Sequence, residues 1–217
     1  NNLGKIKLTL KNKQIESINY ELINLNNYSR FDAALKDKID YYNANSNIDE
    51  VIGFSEAYHS KSSVGSFYTD ILRKQMNVDI TFQNTGGIRN SLDAGDILKR
   101  EIYSIDPFNN GSVTYTMTIG EIKNFLQQSK IAIYYAGVNI IQTNGTIEIR
   151  TKSNQLLSEN TTLNVGLNDY IPAVYDTYFT QNPTIKPYTT AEGLIEYLQN
   201  NTGTINYTQV NSYFQYQ

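Results

Sequence analysis

The spacing of apolar residues along the chain predicts strands interleaved with helices. Apolar residues at every second position, or in short continuous runs, are typical of strands, and they occur in residues 4–10, 14–22, 51–54, 78–82, 112–118, 138–142, 146–150, 162–167 and 207–210. Recurrence at three- and four-residue spacing is typical of helices with one buried face, and it occurs in residues 29–43, 62–76, 121–129 and 189–198. Residues 98–105 fit a short helix or an irregular segment.

Local signals for element ends support this pattern. Three residue pairs fit the capping box, in which the cap and the third helical residue exchange hydrogen bonds: Ser29 with Asp32, Thr118 with Glu121, and Thr189 with Glu192. Asn144-Gly145, between two apolar runs, is a strong signal for a tight hairpin turn. Because hairpins and helices are interleaved without regular strand–helix–strand units, the sequence predicts an α+β fold with mixed or antiparallel sheets.

Composition narrows the possible functions. The 217 residues allow one large or two small domains and a sizeable core. A net charge of −3 without a long basic run argues against nucleic acid as the main partner. No apolar run is long enough to span a bilayer. The chain has no cysteine, which excludes disulfides and thiolate metal sites and fits an exported bacterial protein.

The scarcity of histidine argues against a metal-dependent catalytic centre within these residues. A two-metal hydrolase site needs several histidine and carboxylate ligands close together, and His59 is the single histidine. We expect His59 to be a surface residue. The chain begins with Asn-Asn-Leu-Gly and no methionine, so we also expect an excised fragment or a processed product.

The turn at Asn84-Thr85-Gly86-Gly87-Ile88-Arg89 is the first candidate site, because it directly follows the apolar strand 78–82. Paired glycines permit backbone angles closed to other residues and let a ligand approach the main chain closely. Arg89 adds a planar cation suited to a phosphate or carboxylate. Taken alone, the segment favours the simpler interpretation, a tight turn that carries a surface arginine, by roughly two to one.

Three further segments follow this turn in order, at spacings that resemble the C-terminal domain of the 5′-nucleotidase / UDP-sugar hydrolase family. That family carries Asn-Gly-Gly-Gly-Ile-Arg, Gly-Asp-Ile, Pro-Phe-Gly-Asn and a Thr-Gly helix start. The corresponding segments here are 84–89, Gly95-Asp96-Ile97, Pro107-Phe108-Asn109-Asn110 and Thr118-Ile119-Gly120-Glu121. The resemblance is closest over residues 78–126 and weakest before Ile52.

The resemblance implies a role for six residues. Phe108 and Tyr170 match the two aromatic residues between which the family grips a nucleobase, and stacking on each ring is worth roughly 1–3 kcal/mol. Asn84 and Asn110 match residues that touch the base or the sugar. Arg89 matches the arginine that holds the substrate phosphate, and Asp176 matches the aspartate that accepts hydrogen bonds from the ribose hydroxyls.

Each of these residues also has a simpler interpretation. Phe108 and Tyr170 could be core aromatics, and Asp176 could be an ordinary surface carboxylate. The sequence also departs from the family in two places. Val174-Tyr175 replaces a Gly-Gly pair, which predicts a more crowded slot, and Tyr58 stands where the family has another arginine, with His59 or Lys61 as a possible substitute.

The resemblance further implies how the whole protein is organised. Residues 1–28 are expected to form a hairpin and linker, either the tail of a preceding metallophosphoesterase domain or part of this domain, and residues 29–217 the substrate-binding domain. The expected function is nucleoside or nucleotide binding within an exported 5′-nucleotidase-like hydrolase of the periplasm or cell surface. Two divalent ions, such as Zn²⁺ or Mn²⁺, are expected in the missing N-terminal domain and none in this fragment, which is expected to be inactive alone. The alternative is a non-catalytic surface or binding module that kept the fold and lost the ligand.

Overall fold

Two units make up residues 2–201 and 203–217, the part of the chain that the computed structural model describes. The N-terminal unit ends at Asn47, and the C-terminal unit begins at Ile48. The domain boundary expected from the sequence lies earlier, after Tyr28.

The N-terminal unit contains an antiparallel hairpin of β1 (Asn2–Lys11) and β2 (Gln14–Asn24). Asn12 and Lys13 both take positive φ angles, 51° and 62°, as a two-residue hairpin turn requires. The register places apolar residues opposite each other on one face, with Ile6 opposite Tyr20, Leu8 opposite Ile18 and Gly4 opposite Leu22. This apolar face is exposed to solvent along both strands.

The same unit ends with a 3₁₀ turn, Leu25–Asn27, and helix α1 (Ala33–Asn45). Asp32 is the N-cap, because its side chain accepts a hydrogen bond from the Leu35 N–H at 3.0 Å. The predicted start at Ser29 was therefore wrong, since Asp32 caps the helix instead of serving as its third residue. The predicted apolar stripe, which includes Leu35 and Ile39, is exposed.

The C-terminal unit contains the remaining elements. Its strands are β3 (Val51–Ser55), β4 (Ile80–Asn84), β5 (Gly95–Leu98), β6 (Gly111–Thr118), β7 (Ile133–Ala136), β8 (Asn139–Thr143), β9 (Thr146–Arg150), β10 (Thr162–Asn168), β11 (Thr184–Thr189), β12 (Thr204–Ile205) and β13 (Tyr213–Phe214). Its helices are α2 (Lys61–Met76), α3 (Lys99–Ile105), α4 (Ile119–Ser129), α5 (Tyr170–Val174) and α6 (Thr190–Asn200), and 3₁₀ turns occur at Thr85–Gly87 and Asp176–Tyr178.

A six-stranded sheet in the order β11-β6-β10-β4-β7-β13 forms the centre of this unit. Only β4 and β10 are parallel neighbours in it, and the other pairs are antiparallel. A three-stranded sheet, β12-β3-β5, and the hairpin β8-β9 complete the unit. The predicted α+β fold with mixed and antiparallel sheets is confirmed.

Two hydrophobic cores lie on opposite faces of the six-stranded sheet, as strand β7 shows. Ile133 and Tyr135 point into the core that contains α4 and the β8-β9 hairpin. Tyr134, between them, points into the core that contains α2 and α6. Because successive side chains of a strand point to opposite faces, the sheet separates the two cores.

The inward faces of these helices were predicted correctly. Val64, Phe67, Ile71 and Leu72 of α2 are buried, as are Ile122, Phe125 and Leu126 of α4. Both capping boxes predicted for the C-terminal unit are present, at Thr118 with Glu121 and at Thr189 with Glu192. The Asn144-Gly145 turn is also present, with φ angles of 49° and 77°.

The predicted last strand, residues 207–210, was wrong. The Val210 N–H donates to the Tyr207 carbonyl at 3.0 Å, which makes a turn there, and the chain pairs instead at β12 and β13. Strands β5, β7 and β11 and helix α5 were not predicted. No helix within the described ranges has the length and hydropathy needed to cross a bilayer.

Candidate functional site

A cavity of about 210 Å³ lies at one edge of the six-stranded sheet. The parallel strands β4 and β10 end at this edge, and the antiparallel strand β6 begins there. Chain segments that are far apart in sequence therefore converge at this edge. The lining residues are Asn84, Gly86, Gly87, Phe108, Asn110 and Tyr170.

Four of the six site residues predicted from the sequence thus surround one cavity. Phe108 and Tyr170 are not core aromatics, because 46% and 48% of their surfaces are exposed. Asn84 and Asn110 are partly buried beside them. The structure brings two aromatic rings and two amide side chains together around a space open to solvent.

Gly87 is required for space and not for backbone angle. Neither Gly86 nor Gly87 has a positive φ angle, so the expectation that both glycines supply unusual angles was wrong. A Cβ atom on Gly87 would lie 2.0 Å from Gln83 Nε2 and 3.2 Å from Asn84 Oδ1. A Cβ on Gly86 would have Asn84 Nδ2 as its nearest neighbour, at an ordinary 3.7 Å.

A buried carboxylate anchors the loop that carries Phe108. Asp106, only 1% exposed, accepts hydrogen bonds from the Tyr68 hydroxyl of α2 and, at 2.6 Å, from the Thr190 hydroxyl of α6. Its other oxygen accepts from the Phe108 N–H at 3.4 Å. Burial, and next the charge of Asp106, raises the pKa of the Tyr68 hydroxyl well above its ordinary value, so Tyr68 remains a donor.

The next two residues of this loop turn the chain towards β6. Asn109 has a φ angle of 55°, a left-handed conformation that asparagine tolerates better than most residues. Asparagine thus fills the place of the family's glycine. The Asn110 carbonyl accepts a hydrogen bond from the Thr190 N–H at 2.9 Å, which fixes the second amide residue of the cavity to the start of α6.

A cluster of buried side-chain amides holds Asn84 in place. Asn168, at the end of β10, is fully buried, and its Nδ2 donates to Gln83 Oε1 and to Asn84 Oδ1, each at 2.9 Å. Its Oδ1 accepts from the Ile171 N–H at 3.0 Å. Gln83 Nε2 is buried without a hydrogen-bond partner in the described chain. This cluster could not be predicted from the sequence, because no local pattern relates β4 to β10.

Arg89 contacts Phe108, one of the residues that line the cavity. Its guanidinium carbon lies 5.5 Å from the centre of the Phe108 ring, within the range of a cation–π contact. One guanidinium nitrogen donates to the Gly86 carbonyl at 3.2 Å, and the Arg89 N–H donates to the Ile105 carbonyl at 2.9 Å. The rest of the side chain is exposed, so the cation is accessible to a ligand.

Asp176, like Arg89, is a predicted site residue that does not line the cavity. It is exposed at the start of the 3₁₀ turn that follows α5. Val174 and Tyr175 do not line the cavity either. Val174 is exposed, and the Tyr175 ring packs edge-on against Phe125, 5.8 Å away. The predicted crowding by these two residues is therefore absent from the lining.

His59 is fully buried, so its expected surface position was wrong. It forms an isolated β-bridge with Leu92. Its Nδ1 lies 3.0 Å from Ser55 Oγ, and its Nε2 accepts from the Tyr207 N–H at 2.8 Å. These bonds assign His59 a structural role, joining β3 to the C-terminal segment. Tyr58, its neighbour, is exposed.

The described residues do not fit a catalytic metal ion. No group of three or more histidine, cysteine or acidic side chains among them is placed to hold one. Both ring nitrogens of His59 are already engaged in hydrogen bonds within the fold.

A larger depression, about 490 Å³, lies elsewhere between β3 and the end of α6. Its lining includes the acidic residues Glu50 and Asp96 and a single aromatic ring, Phe54. Glu50 is already paired with Lys99 at 2.6 Å, and the described residues of the lining offer no second ring between which a flat ligand could stack. Size alone therefore does not identify the candidate site.

Comparison with known proteins gives the class of this domain. Residues 44–180, more than half of the chain, match the family model described as 5′-nucleotidase, C-terminal domain. The chain therefore belongs to the 5′-nucleotidase C-terminal domain family. A search of curated protein sequences finds no match.

Solved structures share the fold at low sequence identity. The 5′-nucleotidase precursor of Thermus thermophilus is 17% identical, with a TM-score of 0.72 over 94% of this chain and 48% of that one. A putative 5′-nucleotidase of Staphylococcus aureus is 15% identical, with a TM-score of 0.64 over 92% of this chain and 48% of that one. The NAD nucleotidase of Haemophilus influenzae is 20% identical, with a TM-score of 0.58 over 78% of this chain and 39% of that one. The chain spans about half the length of the first of these structures.

Proposed function

We propose that this chain is the nucleotide-binding C-terminal domain of a 5′-nucleotidase-like phosphohydrolase. One observation carries the proposal: Phe108, Tyr170, Asn84 and Asn110 surround a single cavity in a chain that belongs to this family. Two exposed rings and two amides suit a flat heterocycle that is stacked between rings and hydrogen-bonded at its edge.

In this proposal the base lies between Phe108 and Tyr170, and Asn84 and Asn110 contact the base or the sugar. Arg89, exposed beside Phe108, holds the phosphate through its guanidinium, whose fork of donors matches phosphate oxygens. Asp176 accepts hydrogen bonds from the ribose hydroxyls. Its position outside the cavity lining requires that the sugar extend out of the cavity towards the 3₁₀ turn 176–178.

The cleavage step belongs to a different part of the proposed parent protein. The parent converts nucleoside phosphates or related esters to nucleoside and phosphate, using two divalent ions such as Zn²⁺ or Mn²⁺ held by an N-terminal metallophosphoesterase domain. This chain binds and orients the substrate. We further propose that the parent is exported to the periplasm or the cell surface.

The apolar face of the β1-β2 hairpin supports this organisation. It carries Ile6, Leu8, Ile18 and Tyr20, each more than 50% exposed. A contiguous apolar patch of this kind marks an interaction surface in a soluble protein. We propose that the hairpin packs against the metallophosphoesterase domain.

Titration with adenosine tests the proposal. We expect weak, saturable binding by calorimetry or NMR, and Phe108→Ala and Tyr170→Ala should each weaken it by roughly 1–3 kcal/mol. Tyr58→Ala, which removes an exposed ring outside the cavity, is the control and should leave binding unchanged. Absence of binding at millimolar adenosine would contradict the proposal and favour a binding module that lost its ligand.

Phosphate release from AMP tests the second half of the proposal. With Zn²⁺ or Mn²⁺ added, the 217-residue chain should release no phosphate above the buffer rate. Measurable release that is abolished by a chelator would show that the chain itself contains a catalytic centre.

A further inference from the structure

The hydrogen bonds around Asn168 determine which end of the Asn84 amide faces the cavity. The Ile171 N–H can only donate, so the Asn168 atom 3.0 Å from it must be the oxygen. The Asn168 NH₂ group therefore points the other way, and its two protons go to Gln83 Oε1 and Asn84 Oδ1, each at 2.9 Å. A single backbone donor thus fixes the orientation of the Asn168 amide and, through it, of the Gln83 and Asn84 amides.

This arrangement leaves Asn84 with a free donor. If its amide were rotated, Asn84 Nδ2 would meet Asn168 Nδ2, and two donors would face each other without a proton acceptor. Asn84 lines the cavity together with Gly86, and its Nδ2 is 3.7 Å from the position that a Cβ on Gly86 would occupy. Nδ2 has no hydrogen-bond partner among the described residues.

We infer that Asn168 is a positioning residue that fixes Asn84 as a hydrogen-bond donor, so that the cavity selects ligands presenting an acceptor at that point. The inference rests on the proposed nucleoside-binding function and adds the polarity of one contact. The acceptor is an unprotonated ring nitrogen or a carbonyl oxygen of the heterocycle. The cavity is partly enclosed, so a ligand without this acceptor would leave the Asn84 N–H unsatisfied.

Adenosine analogues test the polarity of this contact. In 1-deaza-, 3-deaza- and 7-deazaadenosine, one ring nitrogen is replaced by C–H, which removes a single acceptor. We expect one of the three analogues to bind the wild-type chain about five-fold more weakly than adenosine by calorimetry, as the loss of one net hydrogen bond predicts. The other two should bind as adenosine does.

The substitution Asn168→Asp should reverse the polarity. The carboxylate would still accept from the Ile171 N–H, and it would also accept from Gln83 Nε2, which now lacks a partner, and from Asn84 Nδ2 after both amides rotate. Three N–H donors would satisfy the buried carboxylate. Asn84 would then present its oxygen to the cavity, so adenosine should bind less tightly and the penalty for the sensitive deaza analogue should disappear.

Asn164→Asp is the matched control. It makes the same chemical change on the same strand, at an exposed position whose Oδ1 accepts from the Thr116 hydroxyl. This variant should keep the wild-type order of affinities. A merely structural role for Asn168 would lower the affinity for all four ligands by the same factor, and this outcome would overturn the inference.

Two other outcomes are distinguishable. In the first, adenosine binds the wild type saturably and all three analogues bind within about two-fold of it. That difference is smaller than the loss of one hydrogen bond would cause, so the inference fails and the proposed function stands. If adenosine does not bind, the proposed function fails, and a measurement without ligand still decides the amide polarity. By NMR, the Asn84 side-chain amide protons should exchange with solvent faster than those of Asn168. Slower exchange at Asn84 would overturn the inference, whether or not the Asn168→Asp variant folds.

Discussion

The guanidinium of Arg89 lies over the ring of Phe108, with its central carbon 5.5 Å from the ring centre. The two residues come from different turns of the chain, which are joined by the hydrogen bond from the Arg89 N–H to the Ile105 carbonyl. In the proposed function, base stacking and phosphate binding therefore involve two residues that contact each other.

We expect Arg89→Ala to weaken AMP binding more than adenosine binding. A hydrogen bond to a charged group is worth about 1.5–3 kcal/mol, and solvent reduces this to about 1 kcal/mol at an exposed position. Adenosine has no phosphate and therefore makes no such bond. Calorimetry with both ligands gives the difference. Arg89→Lys keeps the charge but not the fork of donors, so its effect should be intermediate. An equal loss for both ligands would show that Arg89 acts only through Phe108.

Gly87→Ala should destabilise the fold, and Gly86→Ala should not. The added methyl group at position 87 would lie 2.0 Å from Gln83 Nε2, whereas at position 86 the nearest atom is 3.7 Å away. Gln83 is only 1% exposed and its Oε1 accepts a hydrogen bond from Asn168, so its amide has little room to move aside. Overpacking at a buried site costs about 1–3 kcal/mol. Urea denaturation of the two variants measures the difference, and equal midpoints would contradict the close packing of Gly87 against Gln83.

Asp106→Ala should destabilise the C-terminal unit by about 2–3 kcal/mol, because the Tyr68 and Thr190 hydroxyls would lose a buried acceptor. It should also weaken adenosine binding, since the Phe108 N–H loses its anchor. Thermal denaturation measures the first effect and calorimetry the second. Asp93→Ala, which removes an exposed carboxylate, is the control, and a similar loss in that variant would show that the effect is not specific to Asp106.

The stability of the fold should fall as the pH rises above about 10, the ordinary pKa of tyrosine. Burial and then Asp106 raise the pKa of Tyr68, and burial and then the hydrogen bond to Asp70 raise the pKa of Tyr207. Both groups keep their protons in the folded state, whereas the unfolded chain releases them above a pH of about 10. Their contribution is therefore complete below the unfolded pKa and is lost as the pH rises towards the folded pKa.

Each of these tyrosines should contribute a slope of about 1.4 kcal/mol per pH unit above that point. The free energy of unfolding, measured in urea between about pH 9 and 12, on either side of the ordinary pKa, should fall less steeply in Tyr207→Phe. Tyr58→Phe on the surface controls for the loss of one hydroxyl. An unchanged slope in Tyr207→Phe would contradict the assigned role of the Tyr207–Asp70 pair, whose oxygens lie 2.7 Å apart.

The exposed face of the β1-β2 hairpin should cause the isolated chain to self-associate. Leu8 and Ile18 are opposite each other on this face, and more than half of each is exposed. The double variant Leu8→Lys/Ile18→Lys should be monomeric by light scattering at concentrations where the wild type is not. Thr9→Lys/Ser17→Lys changes the neighbouring pair on the polar face and should behave like the wild type.

The sequence predicted well those elements whose pattern is local and regular. Helices α2 and α4 have apolar residues at helical spacing and, for α4, a capping box, so their buried faces could be identified before any tertiary contact was known. Strand β7 could not, because Ile133 to Ala136 are buried on both faces of the sheet and show no alternation. Strand β13, only two residues long, exists through its pairing with β7.

The same limit applies to the site. Six candidate ligand-binding residues were inferred because short segments resembled a family, and the structure brings four of them to one cavity. The groups behind them were not predicted. Gln83 and Asn168 are 85 positions apart in the sequence and meet only because β4 and β10 are parallel neighbours. His59 gave no local sign of burial, because the bridge to Leu92 that encloses it joins distant segments.

The residues around the cavity divide into two groups with different freedom to change. Phe108, Asn110 and Tyr170 are on loops or at a helix start and contribute little to either core, whereas Asp106, Gln83 and Asn168 are buried beneath them. Replacement of an exposed residue alters what fits the cavity, whereas truncation of a buried one removes hydrogen bonds that hold the cavity residues in place. Descendants of such a domain can therefore diverge in the molecules they recognise long before they diverge in shape.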